Sequence, residues 1–229
     1  MHVVLSIGGS AVVPDGKPNI KFLRDLANAI GTSKNEFGIV VGGGTPARTY
    51  ANAARELGAG EFDADQIAIM STKQNAKLLL AAFGGIAAPE VIRSFDKARE
   101  LAGRHKVVVM GGTIPGITTD TDAVLLAEAV GAKRLVNVSN VTGIYDKDPK
   151  KDPKAKKFDT MGYDQLISLA MSSDKRTAGM NFVFDLLACK LIARSKIETH
   201  FVGWKSMDDL KAAMEGKRHG GTVVRQSER

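Results

Sequence analysis

Three short segments place glycine and a hydroxyl side chain directly after an apolar run: Gly8-Gly9-Ser10, Gly42-Gly43-Gly44-Thr45 and Gly111-Gly112-Thr113. Glycine permits positive φ and close backbone approach, so successive N–H groups can converge on anionic oxygens. A helix that follows adds the positive end of its dipole. Phosphate binding is the chemistry such loops serve. One loop carries little weight, but three at the carboxyl ends of parallel strands would share the edge where open α/β sheets bind ligands. Structural turns are the plain alternative.

Other chemistries fit less well. The only Gly-Lys pairs, Gly16-Lys17 and Gly216-Lys217, lack the upstream glycine and the following Ser or Thr of a Walker A loop. Gly42-Gly43-Gly44-Thr45-Pro46-Ala47 matches the dinucleotide pattern G-x-G-x-x-A, with Asp63 or Asp65 downstream. In a dinucleotide site that acid should end a second strand, whereas here it opens a helical run, so this rival is set aside. The four histidines, His2, His105, His200 and His219, show no metal-ligand spacing, and neither G-x-S-x-G nor H-E-x-x-H occurs. A reaction whose nucleophile is already an anion needs no general base, only alignment and charge neutralisation, and phosphoryl transfer onto a phosphate has that economy.

The elements that must position these loops can be read from periodicity. Residues 3–7, 38–41, 106–110, 135–138 and 199–202 are short, valine-rich and mostly uniformly apolar, as strands buried on both faces should be. Helical patterns at 20–30 (behind a cap at Asn19), 47–57, 64–83, 121–130, 182–194 and 207–214 alternate with them. The expected architecture is α/β: a three-layer sandwich around a central, mostly parallel sheet. The biased segment 147–157 is rich in lysine and carries Pro149 and Pro153, which block helix, so it reads as a loop.

Composition sets the outer bounds. The chain has 229 residues, 44% apolar and 25% charged, the balance of a soluble globular protein with room for one large or two small lobes. Its formal net charge is +7, and residues 1–132 are balanced, so the C-terminal part carries the excess and should attract an anion such as a nucleotide. A solvated lysine-rich surface would give the same count. The single cysteine, Cys189, lies in an apolar stretch, which rules out an internal disulfide, suits a reducing compartment and reads as core. Residues 1–7 read as a strand and not a signal peptide, and the longest uncharged stretch, 78–89, is too short to span a bilayer. A cytoplasmic setting is expected.

The three glycine loops, together with Ser139-Asn140-Val141-Thr142-Gly143-Ile144-Tyr145-Asp146-Lys147-Asp148-Pro149, resemble the amino acid kinase superfamily. Within it the chain is similar, over nearly its full length, to the archaeal uridylate kinase family. The run ending at Pro149 speaks for the fold and the ATP site. The acceptor rests on Thr113-Ile114-Pro115-Gly116-Ile117-Thr118-Thr119-Asp120, with Asp65 and Arg48. The length leaves no room for the regulatory domains of aspartokinases.

The resemblance implies that Gly9, Ser10, Gly44 and Arg48 meet the phosphates being transferred, with Arg48, Ser10 and Asp120 as catalytic residues. Ser139, Tyr145 and Asp148 would hold ATP, while Gly43, Asp65 and residues 113–119 (Thr113, Ile114, Pro115, Gly116, Ile117, Thr118, Thr119) would hold UMP. Mg²⁺ is expected on the phosphates with water completing its shell, without a dedicated ligand cluster. The chemistry agrees: Arg48 can fork to phosphate, Asp65 can accept from ribose hydroxyls, and Thr118, Thr119 and Asp120 can donate or cap a helix. The plain alternatives are an exposed arginine and helix caps at Asp65 and Asp120. One domain is implied, with an acceptor lobe over 1–131 and a basic ATP lobe over 132–229. A homohexamer built from dimers and inhibition by UTP are also implied, with neither nucleic acid nor membrane as partner.

Two departures stand out. Many superfamily members carry lysine where this chain has Ser6, so the cation that offsets transition-state charge is open between Arg48 and a lysine such as Lys205. Asp185-Leu186 stands where relatives often show Asp-Pro, which should alter only a helix start. A kinase of the same fold acting on another phosphate acceptor such as isopentenyl phosphate, with an apolar pocket in place of Asp65, is one alternative. A non-catalytic nucleotide-binding or storage module is the other.

Overall fold

Uniformly apolar runs form strands buried on both faces, and in a parallel sheet that requires helices on each side. The computed structural model describes residues 3–149, 151–174 and 184–226. The strands are β1 (Val3–Ile7), β2 (Phe37–Val41), β3 (Val107–Met110), β4 (Arg134–Ser139), β5 (Thr160–Met161), β6 (Glu198–Gly203) and β7 (Thr222–Val224). They form one sheet in the order β3-β2-β1-β4-β6-β7-β5. β3, β2, β1, β4 and β6 are mutually parallel, while β7 runs antiparallel to β6. The expected α/β sandwich with a mostly parallel sheet is what forms.

The helices are α1 (Gly9–Val12), α2 (Ile20–Thr32), α3 (Gly44–Glu56), α4 (Glu61–Phe83), α5 (Phe95–Leu101), α6 (Thr119–Val130), α7 (Tyr163–Asp174), α8 (Leu186–Ser195) and α9 (Met207–Met214). Asn19 caps α2 as expected, its side chain accepting from Phe22 N–H at 3.2 Å. Gly131 ends α6 in the left-handed region at φ 68°, which glycine adopts without strain.

Alternate residues of each strand feed opposite layers. Leu5, Ile7, Ile39, Val41 and Val136 pack with Leu26, Ile30, Leu79 and Leu210 from α2, α4 and α9. Val4, Val40, Val108, Leu135 and Phe201 pack with Val124, Leu126, Leu166 and Ile192 from α6, α7 and α8. Cys189 belongs to this second layer, and burial pushes its thiol well above its ordinary value.

Several boundaries differ from expectation. α3 and α4 each start three residues earlier than the apolar pattern does, because their first turns face the ligand edge or solvent. α1, α5, α7, β5 and β7 are too short or too weakly periodic to be read from the sequence. The helix expected over 182–194 begins at Leu186, and its residues 182 and 183 lie outside the described residues, as do residues 1 and 2 of the first strand and Lys150 of the lysine-rich loop.

Candidate active site

The parallel register brings the carboxyl ends of β3, β2, β1 and β4 to one edge, and all three glycine loops lie there. The ladder continues into them: Gly8 N–H donates to Val138 O and Gly42 N–H to Ile7 O, both at 2.8 Å. The first two loops then touch backbone to backbone. A Cβ on Gly9 would lie 2.0 Å from Gly44 N, and Gly44 itself has φ +69°. Both positions need glycine, one for approach and one for conformation.

The helices behind these loops differ in how their amino ends are satisfied. α1 and α3 have glycine N-caps, Gly8 and Gly43, with no side-chain cap bond and no acid in the first turn. Their N–H groups are left for an anion. Arg48, the fifth residue of α3, is exposed, and its guanidinium reaches only Thr45 Oγ1, at 3.2 Å, among the described residues. Gly9, Ser10, Gly43, Gly44 and Arg48 are thus brought together. α6 is the opposite case: Thr118 caps it by accepting from Thr121 N–H at 3.1 Å, and Asp120 and Asp122 occupy its first turn. That end is already satisfied by its own side chains, unlike the amino ends of α1 and α3.

Asp120 is therefore not the cap. It is the second residue of α6, and its Oδ1 accepts from Ser6 Oγ at 2.5 Å and from Asn137 Nδ2 at 2.8 Å. Ser6 and Asn137 are register partners on β1 and β4, so Asp120 sits over the middle of the sheet edge. Burial pushes its carboxyl up to about 7; Asp185 adds to the rise, and the Ser6 and Asn137 hydrogen bonds oppose it. Asn137 Oδ1 is buried with no hydrogen-bond partner among the described residues, a polar cost carried beside the site.

Asp65 is not a cap either, because α4 begins at Glu61 with Gly60 as its N-cap. Its Oδ2 accepts from Gly116 N–H at 2.8 Å, tying the 113–119 loop to α4. Ile114, Pro115 and Ile117 belong to the same loop, with Ile114 59% exposed at its tip. Thr118 and Thr121 both donate to Asp185, which also caps α8 through Ala188 N–H at 2.9 Å. Asp185 does more than start a helix: it ties α8 to the 113–119 loop.

On the β4 side, Ser139 Oγ closes a turn with Val141, and its carbonyl accepts from Trp204 N–H at 2.9 Å. Tyr145 Oη lies 2.7 Å from Thr142 Oγ1, and Tyr145 bridges to Lys157 across the lysine-rich loop. The carbonyl of Asp148 accepts from Lys151 and Asp152 N–H in the same loop. Lys205 follows the end of β6 at this edge, its ammonium 5.8 Å from the Trp204 ring.

Sequence reasoning missed the residues that brace the loops. Asn75 on α4 donates to Gly42 O at 2.8 Å and to Gly43 O at 3.2 Å. Thr72, one turn earlier, accepts from Gly112 N–H at 2.7 Å. Asp122 holds Thr113 through both backbone and hydroxyl. A buried polar residue within a helical stretch was the available signal, visible only once burial is known.

Residues 1–203 match the model of the amino acid kinase family. The uridylate kinase of Thermococcus kodakarensis is 46% identical over 226 residues, 98% of this chain and 99% of that protein. The crystal structure of uridylate kinase from Archaeoglobus fulgidus superposes with a TM-score of 0.85 at 41% identity, covering 98% of this chain and all of that one. The UMP kinase of Bacillus anthracis, at 21% identity and a TM-score of 0.80, shares the fold. The chain belongs to the amino acid kinase family and, within it, to the uridylate kinases.

Proposed function

We propose that this chain transfers the γ-phosphate of ATP to UMP, giving ADP and UDP, a step of pyrimidine nucleotide metabolism. The observation that carries the reading is the backbone contact of Gly9 with Gly44, which sets two uncapped helix amino ends together, with Arg48 on the second of those helices. Likeness to the uridylate kinases supports the choice of acceptor.

A phosphate oxygen of UMP attacks the γ-phosphorus, and a new P–O bond forms as the bond to the β,γ-bridging oxygen breaks. The electron pair departs on ADP. The nucleophile is already anionic, so no side chain need remove a proton, and the chain contributes alignment and charge. N–H groups of the first two glycine loops, with Ser10, bind the phosphate oxygens in flight, and Arg48 forks onto them. Asp120 holds Ser6 and Asn137 in place between these loops and the 113–119 loop.

Gly43, Asp65 and residues 113–119 hold UMP in this reading, and Ser139, Tyr145 and Asp148 hold ATP. The sheet order supports a division into an acceptor lobe over 1–131 and an ATP lobe over 132–229: β1 to β3 make one side and β4 to β7 the other. Among the described residues no group of three or more His, Cys, Asp or Glu is placed to hold a metal. In this reading Mg²⁺ enters as part of the Mg-ATP substrate, on phosphate oxygens and water, and no step is assigned to an ion held by the chain. A homohexamer, inhibition by UTP and a cytoplasmic setting complete the reading on family resemblance. No helix among the described residues is long and apolar enough to cross a membrane.

An ADP-release assay with Mg-ATP against UMP, CMP, dUMP and isopentenyl phosphate tests the proposal. Turnover on UMP should dominate, and Arg48→Ala should lower kcat/KM by about a hundredfold or more, as loss of a charged transition-state contact does. Turnover on isopentenyl phosphate would overturn the acceptor and keep the ATP half. ATP binding without turnover on any acceptor would leave only a binding module. An isoprenoid tail would need apolar walls, and the charged Asp65 read as holding the acceptor favours the nucleotide.

A further inference from the structure

Asp122 is a buried carboxylate, 1% exposed, that the reaction as read above does not use. It lies in the first turn of α6, and both its oxygens are committed to one residue. Oδ1 accepts from the Thr113 hydroxyl at 2.5 Å and Oδ2 from Thr113 N–H at 3.1 Å. The charged groups on the elements packed around α6 are engaged elsewhere or, like Asp96 of α5 and Lys190 of α8, exposed. Asp120 bonds Ser6 and Asn137, while Asp185 of the α8 cap takes Thr118 and Thr121. Arg194 of α8 pairs with Glu128, Arg99 of α5 donates to Ala129 O, and Arg134 of β4 pairs with Glu198. β1 and β2 carry no charged residue.

A hydroxyl that donates inward to a carboxylate offers only lone pairs outward. We propose that Asp122 is the positioning residue for the acceptor nucleotide, locking the Thr113 hydroxyl as a hydrogen-bond acceptor toward UMP and so setting the affinity for it. The inference rests on the reading that residues 113–119 hold UMP. An ionised Asp122 accepts both Thr113 bonds. A protonated one must donate through one oxygen, which reverses the hydroxyl and turns its proton toward the ligand. The imide N–H of uracil is a donor that suits the locked form and clashes with the reversed one. Burial pushes the Asp122 carboxyl up to about 6 against the pull of the two Thr113 bonds, so the reversal falls within a range the enzyme can be assayed in.

The test measures kcat and KM for UMP and for ATP in the wild type, Asp122→Asn and Thr113→Val, at about pH 7.5 and about pH 5.5. The phosphate of UMP titrates near about pH 6, and burial pushes Asp120 up to about 7, in the wild type and the variants alike, so the ratio of variant to wild type removes both. At the higher pH, Asp122→Asn should raise KM for UMP about tenfold and leave kcat and KM for ATP within about twofold. The ratio should shrink toward one at the lower pH, as wild-type Asp122 takes up a proton and comes to resemble the amide. Thr113→Val should behave alike, and combining the two should add nothing. Should Asp122→Asn fail to fold, the Thr113→Val ratio at the two pH values decides the matter alone. An unchanged KM for UMP, a ratio equal at both pH values, or kcat and both KM values moving together with Tm would overturn the proposal. A wild type with no turnover on UMP would sink the functional reading itself, whereas turnover with a pH-independent ratio would sink this inference only.

Discussion

Asp120 holds a charge that its surroundings oppose. Burial raises its carboxyl to about 7, and the two hydrogen bonds from Ser6 and Asn137 only partly offset the lost hydration. An unfolded aspartate titrates near ~3.9, so between that value and about 7 the folded chain holds the extra proton. The stability this gives is fully present below the unfolded value and is lost as pH rises through the folded one. Asp120→Asn keeps an oxygen to accept from Ser6 and Asn137 and removes the charge. It should raise Tm by about 5 °C at about pH 8 and change it little near about pH 4. Calorimetry across that range checks it, and an equal difference at both ends would refute the assigned burial. The same substitution should depress turnover, the usual exchange of stability against activity at a strained site. The position of Ser10 and Arg48 beside the glycine loops was legible in the sequence because each follows its glycines closely in the chain. The Ser6–Asp120–Asn137 arrangement was not, since it joins three elements that meet only when the sheet forms.

At the scale of elements, α4 is the brace of the site. Asn75 and Thr72 lie one turn apart on its buried face and reach the carbonyls of Gly42 and Gly43 and the amide of Gly112. Glycine loops have no side chains with which to fix themselves, so their geometry must come from outside. Asn75→Ala would leave two backbone carbonyls in a buried place with no donor. It should destabilise the chain by about 2–3 kcal/mol and lower kcat/KM through loss of loop alignment. Denaturant unfolding measures the first effect and steady-state kinetics the second. Wild-type stability in the variant would show that water replaces the amide. The long helix itself was readable from its apolar spacing, and the five main strands from their valine runs. The brace was not, because asparagine within a helix reads as a neutral surface residue until its burial is known. Short β5 and β7 escaped for a related reason: two or three residues carry no period, and β6 supplies the edge that makes β7 a strand.

Across the whole molecule, the sheet order converts a chain asymmetry into a spatial one. β1 pairs with β2 on one side and β4 on the other, so the charge-balanced N-terminal residues and the basic C-terminal ones meet along a single seam at the ligand edge. Composition alone could show the excess charge and not its place, which depends on β4 returning to lie beside β1. The lysine-rich loop is pinned to this basic side: Lys157 donates to Gly220 O, and Tyr145 bridges to Lys157. Mg-ATP should then feel a broad, solvent-screened field, whereas UMP should depend mainly on close contacts with Gly43, Asp65 and residues 113–119. Exposed charges separated by more than a Debye length, ~10 Å at 0.1 M salt, are largely screened. Raising ionic strength from about 0.05 M to about 0.5 M should therefore increase KM for ATP several-fold while KM for UMP rises less than about twofold. Titrating KCl in the steady-state assay separates the two. Equal sensitivity of both substrates would mean that the basic half does not face the nucleotide triphosphate, and that the ATP lobe assigned to residues 132–229 lies elsewhere along the edge.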